Sequence, residues 1–332
     1  MNQEPIPTPG APDPLMRLSR SYMEARVLLT AAELDLFTIL ARAPHTAEAL
    51  ASSHSWDLRP LARVLDALVA MELLEKREGV YQCAPAIAAR LSADSPVSLL
   101  ASVQHAADLW ERWSGLTARV TRGARRPAAE VGYTRAFIGA MHVTARPQAA
   151  RLVAAVNPVA ERRLLDVGGG SGTYTLAFLE ATPAMRATLV DLPQVMPLAR
   201  ERVAQAGCLD RVELVPGDYL TDPLPGGHDL AWLSAVIHSN SADENLALFR
   251  NVWAALVPGG RVVIRDHVMS EDRTAPRAGA LFAINMLVAT DAGGTYTFRE
   301  IAAGLAAAGF RDARLIQPGA AMDALVEARK PA

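Results

Sequence analysis

The stretch RRLLDVGGGSGTYTLAFLEATPAMRATLVD, residues 162–191, decides the fold. An apolar run ends at Asp166, and a loop with glycines at positions 168, 169, 170 and 172 follows it. A helical pattern comes next, and a second apolar run then ends at Asp191. A strand, a glycine-rich loop, a helix and a strand that ends in a carboxylate form a unit typical of sites for adenosine-containing ligands.

The composition of the loop indicates which adenosine compound binds. Gly168 and Gly170 have no Cβ, so the backbone can turn sharply and a ligand can approach it. Asp191 can accept hydrogen bonds from both ribose hydroxyls. A pyrophosphate binds against bare helix N–H groups, and the carboxylate of Asp166 would repel it but would suit the ammonium of a methionine moiety. The loop therefore favours S-adenosylmethionine (SAM) over a dinucleotide, with an ordinary glycine-rich turn as the alternative.

The composition of the chain excludes several classes of protein. A length of 332 residues predicts two domains, or one large domain with an appendage. A formal charge of −2 gives no general electrostatic reason to bind nucleic acid or an anionic membrane. Two cysteines are too few for a disulfide framework and show no metal-ligand spacing. The cysteine spacing therefore predicts no metal site. No apolar run is long enough to span a membrane, so we expect a soluble cytoplasmic protein.

The first hundred residues predict a tail and a helical domain. Residues 1–14 carry five prolines and are expected to be disordered. Residues 15–100 are predicted to form a helical dimerisation and winged-helix domain, with a helix capped by Thr46, an apolar helix over 57–71 and a hairpin turning near Glu78 and Gly79. The apolar groups of residues 14–40 favour packing on another subunit or on the chain's own second domain.

Winged helices usually bind DNA, so that function has to be weighed. The third helix and the wing of this domain mix cations with carboxylates: Asp57, Arg59, Arg63, Asp66, Glu75, Lys76, Arg77 and Glu78. A mixed surface neutralises few phosphates. A structural or dimerising role is therefore favoured, and a SAM-responsive DNA-binding regulator is kept as an alternative.

The rest of the chain predicts an α/β fold with a doubly wound, mostly parallel seven-stranded sheet. Capping-box spacing marks helix starts at Ser241 and Thr297. The turn at residues 258–260 is expected to lead out of one helix, and Gly309 to end another. The strands are predicted near residues 163–167, 187–191, 211–215, 229–237, 261–268, 312–317 and 324–329.

Ligands in such sheets lie beyond the carboxyl ends of the strands. Leu192 follows the second strand, and Asp218 and Tyr219 follow the third. Asp218 could accept a hydrogen bond from an adenine amino group, and Tyr219 could lie against the adenine ring. A simple turn residue is the alternative for Asp218.

His238 is the candidate for the catalytic base. It follows the predicted fourth strand and precedes the capped helix at Ser241, so it is expected to face the cleft. A neutral imidazole can take a proton from a hydroxyl as that oxygen attacks a methyl sulfonium. Asp266, at the end of the adjacent strand, could orient the ring. A histidine with a purely structural hydrogen bond is the alternative, and His267 is expected to point to the other face.

Four segments carry a resemblance to a known family: DVGGGSG at 166–172, LVDLP at 189–193, GDYL at 217–220 and AVIHSNSADEN at 235–245. They resemble the class I SAM-dependent methyltransferases, and more closely the small-molecule O-methyltransferases of the caffeic acid and hydroxyindole type. The resemblance covers most of the chain. It implies a homodimer with a dimerising N-terminal domain and a Rossmann-like SAM domain over 157–332.

The resemblance also implies roles for individual residues. It places the base on His238 and the residue that holds the base on Asp266. It implies that Met141 and Met286 line the acceptor pocket, to which the predicted helical linker at 101–156 would contribute. SAM and its product S-adenosylhomocysteine (SAH) would be the cofactor pair.

The chain departs from the family pattern at three places. Ser239 and Asn240 stand where the family has an acidic residue and a tryptophan. Ser234, kept as a candidate cofactor-binding residue, stands where the family commonly has a lysine, and Thr295 stands where it often has a second glutamate. The prediction is a SAM-dependent O-methyltransferase acting on a small, largely apolar acceptor, with no nucleic acid or membrane partner. The departures keep open a SAM-binding decarboxylase or hydroxylase.

Overall fold

The computed structural model describes residues 13–123 and 133–332 of the chain. Apart from its last two residues, the predicted disordered tail at 1–14 lies outside the described residues. The contacts divide the chain after Asp108 into two compact units. The predicted division at residues 100 and 156 stays a prediction.

The N-terminal unit is a winged-helix arrangement preceded by two helices. Its small sheet has the strand order β1-β3-β2 and is antiparallel throughout. In chain order the elements are α1 Pro14–Arg20, α2 Tyr22–Glu33, α3 Leu36–Arg42, β1 His45–Thr46, α4 Ala47–His54, α5 Leu58–Ala70, β2 Glu75–Arg77, β3 Val80–Gln82, α6 Pro85–Leu91 and α7 Leu100–Ser114.

Local sequence explains these elements. The side chains of Thr46 and Asp57 accept hydrogen bonds from the first turns of α4 and α5, as good N-cap residues do. Leu61, Leu65 and Leu68 recur at helical spacing on α5 and are all buried in the core of this unit. The helix and hairpin predictions for this region are confirmed.

The C-terminal unit alternates strands and helices around a large sheet. The elements are α8 Leu116–Arg122, α9 Tyr133–Val156, β4 Arg163–Val167, α10 Thr173–Ala181, β5 Arg186–Asp191, α11 Met196–Gln205, β6 Val212–Pro216, β7 His228–Ser234, α12 Ala242–Ala255, β8 Leu256–Asp266, β9 Val268–Met269, α13 Arg277–Ala289, β10 Tyr296–Thr297, α14 Phe298–Ala307, β11 Arg311–Gln317 and β12 Ala324–Arg329.

The large sheet has seven strands in the order β11-β12-β8-β7-β4-β5-β6. Strands β4 to β8 run parallel to one another, and β12 is antiparallel to both of its neighbours. The chain moves from β4 outward to β5 and β6, and then returns to the other side of β4 with β7. Such a reversal opens a crevice at the carboxyl ends of β4 and β7, and the predicted doubly wound fold is confirmed.

Two apolar clusters cover the two faces of this sheet. One contains Trp232 and Phe178 with residues of α9, α10 and α11. The other contains Phe249 and Leu305 with residues of α12 and α14. The core therefore holds the strands rigidly and leaves their carboxyl ends to carry polar side chains.

Two local predictions are wrong. The strand predicted at 229–237 ends at Ser234, because Ala235 has a positive φ of 59° and Ile237–Ser239 forms a short 3-10 helix. The turn predicted at 258–260 lies within β8, where Gly259 N donates to Lys330 O and the register against β7 shifts. Both capping boxes are present as predicted, and Gly309 follows α14 with a positive φ.

Within the described ranges, no helix combines the length and the hydropathy that crossing a membrane would need. The same residues contain no cluster of three or more histidine, cysteine or carboxylate groups arranged to hold a metal ion.

Candidate active site

The glycine loop after β4 folds back over the tips of two strands. Gly168 N donates to Val190 O at 2.8 Å. A Cβ on Gly168, whose φ is 68°, would lie 2.8 Å from Val236 Cγ2, and a Cβ on Gly169 would lie 2.7 Å from Leu189 Cγ. Both positions therefore require glycine. The sequence pattern identified the first requirement but not the second, which depends on a neighbouring strand.

Asp191 connects the tips of β4, β5 and β6. Its Oδ2 accepts from Gly170 N at 2.7 Å, and its Oδ1 accepts from Leu192 N at 2.7 Å. Its carbonyl accepts from Gly217 N at 3.0 Å. Burial raises the pKa of the carboxyl group, and the two amide hydrogen bonds act in the opposite direction. Leu192 is 40% exposed beside it.

Asp166 lies beneath the glycine loop. Its side chain is buried, and Thr175 Oγ1 donates to its Oδ2 at 2.5 Å. Burial raises the pKa of Asp166 to about 7, against the hydrogen bond from Thr175. The carboxyl group thus attaches the loop to α10. Its predicted contact with a bound ammonium stays a prediction.

Asp218 and Tyr219 follow β6, as predicted. Asp218 Oδ1 accepts from Leu220 N at 2.9 Å, which shapes the turn. Tyr219 Oη donates to Asn240 Oδ1 at 3.2 Å, and burial raises the pKa of the phenol to about 12. Tyr219 Cε1 is 3.9 Å from where a Cβ of Gly168 would be. The ring therefore lies beside the glycine loop, where an adenosine would need a flat partner.

His238 and Asp266 form a buried pair. His238 Nδ1 lies 2.9 Å from both carboxylate oxygens of Asp266. Because a carboxylate accepts, Nδ1 carries the proton and Nε2 keeps its lone pair. Nε2 makes no hydrogen bond to any residue in the described parts of the chain. This is the arrangement of a histidine base with an orienting carboxylate.

An amide network fixes the backbone that carries His238. Asn245 Nδ2 donates to Ile237 O at 2.9 Å, and Asn240 Nδ2 donates to Asn245 Oδ1 at 3.1 Å. Gly294 N donates to His238 O at 2.8 Å. Asn240 was only a departure from the family pattern in the sequence. In the structure it is buried and connects the histidine turn to Tyr219.

The two predicted pocket methionines lie on helices that reach the site. Phe282 of α13 packs edge-on against His238 with ring centroids 4.8 Å apart, and Met286 lies one turn further along. Ile138 of α9 has its Cδ1 3.9 Å from a Cβ position on Gly170, and the partly buried Met141 lies one turn further along. Their contact with an acceptor stays a prediction.

Two further departures from the family pattern are resolved by their contacts. Thr295 is buried, and its carbonyl accepts from Arg273 Nη1. Because Thr295 replaces the second glutamate, Asp266 is the one carboxylate that contacts His238 within the described residues. Ser234 ends β7, and its Oγ accepts from Arg265 Nη1 at 3.1 Å. Arg265 was not predicted, because only the strand register brings it beside Ser234.

The site fits SAM. The bare glycine loop leaves no Cβ beside Tyr219, and Asp191 offers carboxylate oxygens at the tip of the adjacent strand. Buried polar atoms without partners remain nearby, namely Arg265 Nε and Tyr174 Oη. A flat ring, carboxylate oxygens and buried polar atoms are thus available for the adenine, the ribose and the amino acid group of the cofactor.

Comparisons with known proteins agree with this geometry. Residues 98–311 match the model of the O-methyltransferase domain, and residues 16–92 match the O-methyltransferase dimerisation domain. The tetracenomycin polyketide synthesis 8-O-methyl transferase TcmO of Streptomyces glaucescens is 31% identical over 96% of this chain and 97% of its own length. The 3-hydroxy-5-methyl-1-naphthoate 3-O-methyltransferase of Streptomyces sahachiroi is 32% identical over 95% and 94%.

A solved structure shows the same fold with the cofactor bound. Human N-acetylserotonin methyltransferase in complex with SAM matches 98% of this chain and all of that chain, with a TM-score of 0.82 and 25% identity. The family matches cover both units, and the site has the parts that a SAM enzyme needs. The chain belongs to the SAM-dependent O-methyltransferases of the hydroxyindole and secondary-metabolite type.

Proposed function

We propose that this O-methyltransferase methylates a hydroxyl group on a small, largely apolar aromatic acceptor, with His238 as the general base. The observation that carries the proposal is the buried pair of His238 and Asp266, which leaves Nε2 free at the carboxyl edge of the sheet. The apolar helix α13 supports an aromatic acceptor, because Phe282 packs edge-on against the His238 ring and the buried Met286 lies one turn further along the same helix. The names of the two bacterial relatives also refer to polyketide and naphthoate hydroxyls.

The protein's own groups then have definite tasks. SAM, when bound, supplies a methyl group on a positively charged sulfur. His238 Nε2 takes the proton of the acceptor hydroxyl as its oxygen attacks. Asp266 holds the Nδ1–H and stabilises the imidazolium that forms. Asp191 is proposed to bind the ribose hydroxyls, and Tyr219 to lie against the adenine. Positioning the acceptor in line with the breaking bond should supply much of the rate.

An acceptor screen tests this proposal. Purified protein is incubated with methyl-labelled SAM and a panel of hydroxynaphthoates and polycyclic phenols. We expect label in the acceptor and one SAH formed per methyl transferred. The matched O-methylated acceptors should accept no label at the same position.

Other outcomes of the screen would contradict the proposal. Loss of carbon dioxide, or oxygen insertion without SAH formation, would favour the decarboxylase or hydroxylase alternative. Label in amine acceptors alone would show that the reacting atom is nitrogen.

The winged helix does not favour DNA as the partner. Lys76 Nζ lies 2.7 Å from Asp66 Oδ1, and Arg77 lies 3.4 Å from Glu75. Cations that already pair with carboxylates release few counterions from phosphates. We therefore propose a small-molecule acceptor and no nucleic acid partner, and we keep the cytoplasmic location predicted from the sequence.

We also propose that the N-terminal unit forms a homodimer. Helix α1 has no buried residue, and Leu15 and Leu18 are 75% and 64% exposed. Tyr22 and Met23 of α2 are also more than half exposed. A cluster of apolar side chains this large marks an interaction surface, and the match to a dimerisation domain supports a second copy of the chain as its occupant.

The double variant Leu15→Ser and Leu18→Ser should weaken the dimer. Each buried leucine contributes about 1.5–3 kcal/mol, so the dimer dissociation constant should rise by roughly 100-fold or more. Sedimentation equilibrium would give the average mass as a function of concentration, and the dissociation constant follows from its approach to the monomer mass of 35.4 kDa. The control is Val159→Ser, which removes a 69% exposed side chain elsewhere. A monomeric wild type, or an unchanged constant in the double variant, would contradict the proposal.

A further inference from the structure

Strand β8 carries two buried arginines with different surroundings. Arg261 and Arg265 are four residues apart, so their side chains leave the same face of the strand. They are 6% and 4% exposed. Arg261 forms ion pairs with Glu161 and Glu327. Arg265 forms no ion pair with any carboxylate in residues 13–123 or 133–332.

The contacts of Arg265 include no carboxylate among the described residues. Nη1 donates to Ser234 Oγ at 3.1 Å, the guanidinium carbon lies 5.3 Å from the centre of the Tyr174 ring, and Nε is buried without a partner. The carboxylates that act on it at longer range make their hydrogen bonds and ion pairs with other side chains. Asp266 bonds to His238, and Asp323 bonds to Arg151.

A guanidinium stays charged even where burial lowers its pKa, as it does for Arg265. A buried charge is costly unless it is paired. The geometry therefore indicates that an anion completes this site.

The position of Arg265 identifies the anion. Ser234 is the last residue of β7 and pairs in register with Arg265, so both lie at the carboxyl edge of the sheet. Tyr174 is the second residue of α10, directly after the glycine loop. Asp191 lies on the other side of β4, on β5. The glycine loop thus separates a carboxylate suited to ribose hydroxyls from a cation suited to the opposite end of the cofactor.

We propose that Arg265, oriented by Ser234, binds the carboxylate of the amino acid moiety of SAM and SAH. The inference rests on SAM being the cofactor, and it adds a residue that determines which adenosine compounds bind. Ligands with the adenosine and the amine but without the carboxylate should bind weakly. Arg265 acts here on binding, and the reacting atoms need not contact it.

Calorimetric titration with two ligands tests the proposal. One is SAH, and the other is its decarboxylated form, which keeps the adenosine, the sulfur and the amine. Wild-type protein should bind SAH about 10- to 100-fold more tightly, because a hydrogen-bonded charge pair is lost with the carboxylate. Arg265→Met should weaken SAH binding by a similar factor and change the affinity for the decarboxylated ligand by less than about threefold.

Controls separate this role from a structural one. Ser234→Ala keeps the buried cation and should reduce the preference for SAH by about 3- to 10-fold, because one orienting hydrogen bond is lost. Arg314→Met removes a 65% exposed arginine on β11 and should leave the preference unchanged. If Arg265→Met does not fold, the wild-type preference and the Ser234→Ala variant still decide.

Different results would overturn the role of Arg265 and the use of SAM. Equal affinity of the wild type for the two ligands, or a full preference retained in Arg265→Met, overturns the role of Arg265. A wild type that binds neither ligand overturns instead the use of SAM.

Discussion

The variant His238→Asn should turn over about 10²- to 10⁴-fold more slowly than wild type, while its affinity for SAH stays within about twofold. Proton transfer to a positioned base contributes a factor of this size. Asparagine is the better replacement than alanine, because its amide N–H can still donate to Asp266. An alanine would leave the buried carboxylate of Asp266 with the His267 backbone N–H but without its side-chain donor, and would confuse loss of base with loss of stability.

Single-turnover measurement of methyl transfer, with the melting temperature and SAH titration alongside, checks this result. Asp266→Asn is the companion variant. It should slow turnover less than His238→Asn, since the imidazole keeps Nε2 but loses its orienting carboxylate. Added imidazole should restore part of the activity of a His238→Gly variant. Turnover of His238→Asn within about threefold of wild type would show that proximity alone supports the reaction.

The fold was largely predictable because its signals are local. The spacing of glycines after an apolar run, and a second run ending in Asp191, predict a strand, loop, helix and strand without any knowledge of the rest of the chain. The same local patterns predicted the capping boxes at Ser241 and Thr297. Their bonds lie within four residues, so the sequence alone contains both partners.

The position of His238 was only partly predictable. Its neighbour Asp266 was expected, because carboxyl ends of adjacent parallel strands meet at one edge. The turn that carries His238 was not expected. Ala235 has a left-handed φ of 59°, which alanine rarely adopts, and the contacts of Asn245 and Gly294 hold that turn. Those contacts come from other elements and leave no local pattern.

The alternation of side chains along β4 explains the orientation of Asp166, which the glycine motif alone does not give. Asp166 shares its face of β4 with Leu164, which packs against α9 and α10. Alternation could therefore have placed its carboxyl group beneath the loop. Arg265 is different, because its partners Ser234 and Tyr174 are 31 and 91 residues away in the sequence. Only the register of β7 and β8 brings them together.

Removal of the Asp191 carboxylate should abolish most of the affinity for the cofactor. We expect Asp191→Ala to raise the dissociation constant of SAH by about 100- to 10,000-fold. Two hydrogen bonds from ribose hydroxyls to a carboxylate contribute about 1.5–3 kcal/mol each. The same substitution frees Gly170 N, which donates to Oδ2 at 2.7 Å and fixes the glycine loop.

Adenosine and SAH titrations, analysed together, separate these two effects. If Asp191 binds the ribose, both ligands should weaken by similar factors in Asp191→Ala. Asp191→Asn keeps one acceptor oxygen and should have an intermediate effect. Asp210→Asn is the control, since Asp210 is an exposed carboxylate before β6, at the amino ends of the same strands. An Asp191→Ala protein that keeps wild-type affinity for both ligands would place the ribose elsewhere.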